Sequence, residues 1–302
     1  MMKRISCSFL FIFLGFFGQL FAQNTPLSFR AAFGLATYFG DLTEKPKLFN
    51  QSSPSISLGL NYDITEQLKG RLDFSLMKLK SDDRFNTRQD FITRNLNFTT
   101  TLWDLQLGVE YEFLNMTSKD FIFTPYLGVG LGLLHYNPWT YDRNGVKRYL
   151  REFGTEGQGL PSYPERKVYS LFALSIPINY GIKVAINDNV KFFLEINFRN
   201  AFTDYIDDVG NTYPDKDIIL NEAKDPITTI GLTYRGDEVS TQPYPGVKIQ
   251  RGGYTKDFYY TTSIGLIFRL NNIQIGGGDG SSKRIGKIGS RKSRLRDPGR
   301  VF

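Results

Sequence analysis

Eight segments of this chain alternate between apolar residues and small or polar residues, with a period of two. At that period, successive side chains of a β-strand point to opposite faces. In the first segment, Leu27, Phe29 and Phe33 share one face, whereas Ser28 and Arg30 lie on the other. The pattern therefore predicts an all-β fold of eight strands. The alternating segments are residues 27–39, 55–62, 68–76, 96–111, 123–133, 174–184, 192–199 and 259–270.

The connections between these segments are short and long in strict alternation. Outer-membrane barrels show this asymmetry, because their periplasmic turns are short and their extracellular loops are long. A soluble sandwich has no reason to produce it. We therefore predict an eight-stranded antiparallel transmembrane β-barrel. The short connections are 63–67, 113–120 and 186–189, and the long ones are 41–53, 80–94, 137–167 and 203–257.

The N-terminus has the pattern of a secretory signal peptide. Lys3 and Arg4 precede an apolar run that ends at Ala22, a small residue suited to cleavage. A retained membrane anchor is the alternative, but the run is short for a spanning helix, and no later apolar run approaches the ~20 residues required. An exported chain of this kind can cross a membrane only as a closed barrel. We predict a cleaved signal peptide at 1–22, an outer-membrane barrel at 23–270 and a tail at 271–302. Because the strand number is even, both chain termini of the barrel are expected in the periplasm.

The polar faces of the predicted strands carry glycines and charges of both signs. An eight-stranded barrel is just wide enough for side chains to fill its interior. Glycines such as Gly128 and Gly130 leave room for large side chains from facing strands. We therefore predict a filled interior without an open pore. The predicted interior polar network consists of Arg30, Arg71, Asp73, Glu110, Lys183, Glu195 and Arg199.

Two positions depart from simple alternation. The apolar phase of the fourth segment slips by one residue near Leu102 and Trp103, which predicts a β-bulge there. Pro177 lies in the middle of the sixth segment, where proline removes one hydrogen bond of the ladder. We expect a local break in strand pairing at Pro177.

The net charge of +7 is concentrated in the last 32 residues, which carry eight cations and two anions. The barrel segment is therefore nearly neutral, which argues against a nucleic-acid-binding domain. A glycine- and serine-rich spacer precedes the cations, so we expect a flexible, disordered periplasmic tail. We interpret the tail as an arm that docks an acidic partner. The alternative is an unattached solvated tail. The predicted partner-binding residues are Lys283, Arg284, Lys287, Arg291, Lys292, Arg294 and Arg296.

The eighth segment carries a second specific pattern. Ser263, Gly265, Phe268 and Leu270 place a polar residue, a glycine and two apolar residues at intervals that resemble the terminal-strand signal for outer-membrane barrel assembly. That signal normally ends a chain. Because the tail follows it here, we interpret the tail as an addition to a complete barrel.

Sites for catalysis or metal binding have little support. The chain has one His and one Cys, so a His- or Cys-rich metal site cannot be built, and we expect no cofactor. Asp204, Asp207 and Asp208 could bind Ca²⁺, but capping of a folded loop is the favoured interpretation. His135 could serve a barrel hydrolase, yet no Ser or acid partner is identifiable, so we predict no enzyme. The basic connection 137–167 could contact lipopolysaccharide, although a solvated loop is favoured.

Several motifs are distinctive beyond the strand pattern. They occur in one order along most of residues 27–270. They are GDL at 40–42, TPYLGVG at 124–130, HYNP at 135–138, GTEGQGL at 154–160 and FTDYIDDV at 202–209.

These motifs resemble those of PorG-type outer-membrane barrels of Bacteroidota. The resemblance implies a non-enzymatic component of the type IX secretion system, which serves protein transport and gliding motility. It further implies association with a periplasmic ring made by a lipoprotein and its partner protein, whereas cargo passes through a different, larger barrel. The alternative is a general surface barrel that acts in adhesion or envelope integrity through its long loops.

Overall fold

The computed structural model describes residues 26–43, 51–116, 121–253 and 256–270. These residues form ten strands, three α-helices and three short 3-10 helices. The strands are β1 (Leu27–Phe39), β2 (Ser53–Asp63), β3 (Leu68–Asp82), β4 (Asn97–Glu112), β5 (Phe123–His135), β6 (Trp139–Tyr141), β7 (Lys147–Tyr149), β8 (Phe172–Ala185), β9 (Val190–Ala201) and β10 (Phe258–Arg269). The α-helices are α1 (Gln89–Arg94), α2 (Lys216–Glu222) and α3 (Pro226–Thr233), and the 3-10 helices are Asp83–Phe85, Leu150–Glu152 and Gly236–Glu238.

The eight long strands form a closed antiparallel barrel. Each pairs with its neighbours in the order β1, β2, β3, β4, β5, β8, β9 and β10, and β10 pairs back to β1. The closing pair runs in unbroken register from Ser28 opposite Arg269 to Phe39 opposite Phe258. The predicted eight-stranded barrel is confirmed. The short strands β6 and β7 form a hairpin that joins the barrel where Trp139 pairs with Thr99 of β4.

Short and long connections alternate around the barrel, which defines a short-turn end and a long-loop end. The turn between β8 and β9 is an example of the former, because the Asn187 side chain accepts hydrogen bonds from the N–H groups of Asn189 and Val190, both at 2.9 Å. The long connections are loop 1 (residues 40–52), loop 2 (83–96), loop 3 (136–171) and loop 4 (202–257). Loop 2 contains α1, loop 3 contains β6 and β7, and loop 4 contains α2 and α3.

The outward faces of the strands are apolar. Leu107 and Leu131, on the neighbouring strands β4 and β5, lie directly opposite each other and are 67% and 69% exposed. Exposure of this kind recurs around the barrel, which agrees with the predicted alternation. Further exposed apolar residues on the strands are Phe33, Ile56, Leu58, Phe74, Leu127, Val129, Leu174, Ile182, Leu194 and Ile264.

The predicted bulge near Leu102 and Trp103 is wrong. β3 and β4 pair without interruption from Leu68 opposite Tyr111 to Asp82 opposite Asn97. The strand keeps one phase, and its inward face changes from polar to apolar, so that Leu102 is fully buried. Near the long-loop end, the barrel interior holds an apolar core that the loops complete. This core includes Ala36, Met77, Leu79, Phe98, Leu102, Leu134, Tyr136, Leu150, Ile206, Val209 and Leu232.

The ladder between β5 and β8 is interrupted beside Pro177, as expected. Pairing stops after Val129 opposite Ile178 and resumes at Gly132 opposite Ser175. On its other side, Pro177 remains in register with Arg199 of β9. The missing N–H of proline therefore faces β5, and the break is confined to one side of β8.

The predicted signal peptide and the basic C-terminal segment lie outside the described residues. Among the helices that are described, none has the length and apolar character needed to cross a membrane.

Candidate functional site

The barrel interior is organised around Arg71, a buried residue of β3. Its guanidinium donates to Asp73 Oδ2 at 2.5 Å and binds both carboxylate oxygens of Glu195, at 2.6 and 2.8 Å. Glu110 lies 3.1 Å from the same guanidinium. Planar, two-pronged contacts of this kind are the strong form of an arginine–carboxylate pair. Arg71 thus ties strands β4 and β9 to β3 across the interior.

A second guanidinium shares the same carboxylates. Arg30 of β1 lies 3.1 Å from Glu195 and 3.3 Å from Asp73, and its guanidinium stacks 4.4 Å above the ring of Phe193. Glu195 also accepts a hydrogen bond of 2.8 Å from the phenol of Tyr126. Two guanidinium groups and the carboxylates of Asp73, Glu110 and Glu195 therefore meet at the centre, so that each buried charge has a partner of opposite sign.

Two further cations form ion pairs on either side of this centre. Lys183 of β8 is held by Glu110 and, at 2.7 Å, by Glu112. Arg199 of β9 donates to Asp104 at 2.8 Å. The structure thus joins six of the seven predicted interior residues in one network, whereas Arg199 lies in the interior but pairs separately with Asp104.

Sequence reasoning missed several partners of this network. Asp104 and Glu112 lie on the same face of β4 as Glu110, so the alternation that placed Glu110 inside also carried the signal for them. Tyr126 and Phe193 were missed because their role depends on which strands face each other across the barrel. Glycines leave room for the large side chains of the network. A Cβ on Gly59 would collide with Asp73 and come within 2.9 Å of Arg30 Cγ.

The interior leaves little room for solvent. The cavities beside Arg71 have volumes of about 10 Å³ each, and one of about 40 Å³ opens near Lys183 at the short-turn end. A cavity of about 10–15 Å³ is the smallest that holds one water molecule. Nothing larger than a few water molecules fits in these cavities.

The long-loop end is closed by a cap in which loops 1 and 4 meet at one phenol. The hydroxyl of Tyr38, at the end of β1, lies 2.7 Å from Asp207 and 2.5 Å from Asp257, both in loop 4. The backbone N–H of Asp41 donates to the same phenol oxygen at 3.1 Å. Burial, together with the charges of Asp257 and Asp41, raises the pKa of Asp207 well above its ordinary value, and burial does the same to the pKa of Asp257.

Loops 3 and 4 meet at a buried ion cluster formed by Arg251, Glu156 and Asp208. Arg251 lies 3.4 Å from Glu156 and donates to the carbonyl of Asp208 at 2.7 Å. Asp208 has a φ of 69°, and its carboxylate is held by Thr155 and, at 2.7 Å, by the phenol of Tyr169. Burial raises the pKa of Glu156 to about 7, against the opposing effect of Arg251.

Loop 2 is attached to the same cap through Arg94, the last residue of α1. Its guanidinium binds the Asp83 carboxylate at 2.8 Å, the carbonyl of Arg251 at 2.6 Å and the carbonyl of Asp41 at 2.7 Å. All four long loops therefore share one polar interior above the apolar core.

The remaining candidates for metal binding and catalysis are the aspartates of loop 4 and His135. Asp204, Asp207 and Asp208 do not converge, and no group of carboxylates or histidines within the described segments is arranged to hold a metal ion. His135 stacks on Trp103 at 5.5 Å and contacts Phe172 at 4.8 Å on the outward face, so it lies among aromatic rings rather than beside a Ser or an acid.

The predicted assembly signal spans the end of β10. Ser263 and Gly265 face inward, Phe268 faces outward, and the Leu270 N–H donates to the carbonyl of Leu27 at 3.0 Å. The seven predicted partner-binding cations of the tail lie outside the described residues.

One family model matches residues 7–221, and its description is a domain of unknown function (DUF6089). No curated protein matches the chain.

Several solved structures are similar to this chain at low identity. Neisserial surface protein A is 12% identical, with a TM-score of 0.42 over 81% of this chain and 97% of that one. OprG from Pseudomonas aeruginosa is 12% identical, with a TM-score of 0.40 over 82% and 99%. Ail, the attachment invasion locus protein of Yersinia pestis, is 8% identical, with a TM-score of 0.39 over 82% and 99%.

Proposed function

The chain belongs to the DUF6089 family, a domain of unknown function, and on that premise we propose that it is a non-enzymatic outer-membrane component of the type IX protein secretion system. In this role it anchors a periplasmic ring assembly, made of a lipoprotein and its partner protein, through its short-turn end and its basic tail.

The filled interior is the observation that best supports a role other than transport through the barrel. Arg71 and Glu195 form a two-pronged pair across the barrel, and the cavities beside them are of single-water size. A protein cargo cannot use such an interior as its route. This filled interior supports the proposal that the barrel acts as an anchor while cargo passes through another protein.

The outward face supports the membrane location. Leu107, Leu131 and Leu174 are more than half exposed, and their equivalents recur around the barrel. A soluble monomer rarely leaves so much contiguous apolar surface in water. An apolar band around a closed barrel is what the hydrocarbon region of a membrane requires.

The tail and the motif resemblance support the choice of partner. The last strand ends at the short-turn end of the barrel, and the sequence after it carries eight cations between Lys283 and Arg300. A basic arm is suited to an acidic periplasmic surface. The PorG-like motifs along residues 27–270 point to the secretion assembly rather than to an unrelated partner.

Affinity purification from intact cells tests this proposal with three forms of the protein. They are the full chain, a chain that ends at Leu270, and a full-length chain in which the seven predicted partner-binding cations of the tail are replaced by Gln. We expect the full chain to recover the lipoprotein and its partner, and both altered forms to recover far less. Equal recovery by all three would refute the docking arm. Normal secretion after deletion of the gene would refute the whole assignment.

The ordered cap favours one second candidate, a surface barrel with a role in adhesion or envelope integrity. Its loops are held by buried ion pairs such as Arg94 with Asp83, so they present a fixed surface. Ile227 of α3, which is 76% exposed, is a suitable probe of that surface. Loss of surface binding by Ile227→Asp with intact secretion would favour this second role.

A further inference from the structure

The outward face of β3 changes character near the long-loop end. Leu72, Phe74 and Leu76 point outward and are 40–45% exposed, whereas Lys78, two residues further, is an exposed cation. Trp103, directly opposite Leu76 on β4, lies at the same level. If the barrel spans a membrane as proposed, this level is the boundary between hydrocarbon and head groups, where Trp and Lys are favoured.

A second tryptophan on this face contacts two ammonium groups. The centre of the Trp139 ring in β6 is 5.8 Å from Lys78 Nζ and 4.3 Å from Lys147 Nζ of β7. Lys147 also donates to the phenol of Tyr149 at 3.2 Å. The β6–β7 hairpin pairs with β4 through Trp139 and Thr99. This pairing fixes the backbone positions of Lys78 and Lys147 relative to each other.

Lys80 belongs to the same face, because it lies opposite Thr99, the residue that pairs with Trp139. Together, Lys78, Lys80, Lys147 and Trp139 define a basic–aromatic patch. Among the residues that the structure describes, its three lysines form no ion pair.

Neighbouring carboxylates are already engaged elsewhere. Asp82 is paired with Arg84 at 2.6 Å and Asp142 with Arg148 at 2.8 Å. The patch therefore carries positive charge that no carboxylate of the described chain neutralises, directly above an apolar surface. An occupant with an anionic head and an apolar body complements both parts.

We propose that the basic–aromatic patch binds the phosphate group of a phosphorylated glycolipid in the surrounding membrane leaflet, with the acyl chains along Leu72, Phe74 and Leu76. Lys78 and Lys147 supply the positive charge that attracts the phosphate, and Trp139, which contacts both ammonium groups, lies with them at the head-group level. The inference rests on the proposed membrane location and is independent of the secretion partner.

Reconstitution of the full-length protein into phosphatidylcholine nanodiscs tests the patch. The nanodiscs contain either lipid A with its phosphates or the dephosphorylated form, and the lipid retained by the barrel is counted by native mass spectrometry. We expect the parent protein to retain the phosphorylated form selectively. The double variant Lys78→Gln, Lys147→Gln should lower that retention roughly tenfold or more, because each lysine near an anionic head group contributes to binding.

The matched control removes two exposed lysines elsewhere on the cap, with Lys216→Gln and Lys224→Gln, and should retain the lipid as the parent does. Equal retention by the patch variant and the parent would overturn the inference, as would equal loss in the control. Equal retention of both lipid forms by an inserted parent protein would overturn it too, while leaving the anchor role intact. Displacement by a millimolar excess of inorganic phosphate would indicate a free-anion site instead of a lipid site. Failure to insert would contradict the membrane role itself.

Discussion

The hydroxyl of Tyr38 lies 2.5 Å from Oδ1 of Asp257, and the same oxygen lies 2.7 Å from Asp207. A phenol has one proton and can donate it to only one carboxylate. The other carboxyl must therefore carry a proton of its own and donate it to the phenol oxygen. The cap thus holds one proton more than it would if all of its carboxyl groups were ionised. This proton links loop 4 to β1.

Because folding requires this proton, we predict that the barrel loses stability as the pH rises. Burial raises the pKa of both Asp207 and Asp257 well above the ordinary value and raises those of Glu156 and Asp204 to about 7. A carboxyl with a raised folded pKa favours the folded state below its unfolded pKa near 4, and that contribution is lost as the pH rises to the folded pKa. We expect the unfolding free energy in detergent to fall from about pH 4 to pH 7 and to continue falling above it.

The substitution Asp207→Asn should flatten this dependence. The amide can donate to the phenol oxygen without a titrating proton, so Tyr38 remains free to donate to an ionised Asp257. The control Asp217→Asn, at an exposed carboxylate of α2, should shift the whole curve by a small constant. Parallel pH curves for Asp207→Asn and the parent would contradict the shared proton.

Arg71 should be the most sensitive position of the interior. Arg71→Met removes the guanidinium that bonds Asp73, Glu195 and Glu110, and Arg30 alone then remains within ion-pair distance of all three. Removing one partner of a buried ion pair costs about 3–5 kcal/mol. Arg71→Lys keeps the charge but loses the planar two-pronged contact, so an intermediate loss is expected.

Guanidinium unfolding of the detergent-folded barrel measures both changes. The control is Arg84→Gln, which removes a guanidinium that is 65% exposed and paired with Asp82, and it should change stability by less than about 1 kcal/mol. Similar losses for Arg71→Met and Arg84→Gln would show that the interior network does not hold the strands together.

Gly265 gives a packing test of the predicted assembly signal. A Cβ at this position would collide with the carbonyl of Ala31 and lie 2.5 Å from Phe193, the ring beneath Arg30. Gly265→Ala should therefore cost about 1–3 kcal/mol, as overpacking does. At Gly70 the nearest atom would be 3.6 Å away, so Gly70→Ala is the matched control and should be nearly neutral.

Refolding of both variants into detergent, without any assembly machinery, separates two roles of this glycine. If Gly265→Ala refolds as well as Gly70→Ala but assembles poorly in cells, the glycine acts in recognition alone. A refolding defect in detergent assigns it a packing role inside the barrel.

The alternation of residues predicted which side chains face inward, because the strand period fixes that choice residue by residue. It placed Arg30, Arg71 and Glu195 in the interior and the apolar residues outside. It failed at Leu102, where the inward face becomes apolar because the loops cover it, and the change was mistaken for a bulge.

Contacts between distant elements could not be predicted in this way. Tyr38 and Asp257 are 219 residues apart, and their meeting depends on barrel closure and on how loop 4 folds. The pattern of one strand carries no information about which residue of a distant loop will cover it. The same limit applies to Trp139 and Lys78, which are joined by a hairpin that the strand pattern did not identify.

The last prediction concerns conductance, because the barrel is sealed twice along its axis. The ion network around Arg71 fills the middle, and an apolar core that includes Leu79, Phe98 and Leu102 closes the long-loop end. In a planar lipid bilayer we expect no stepwise conductance from the parent protein. We also expect no conductance from the double variant Arg71→Ala, Glu195→Ala. It removes one positive and one negative charge and opens space only in the ion network, so the apolar core still closes the barrel. Channel openings by the double variant alone would place the seal in the ion network, and openings by the parent would refute a filled interior.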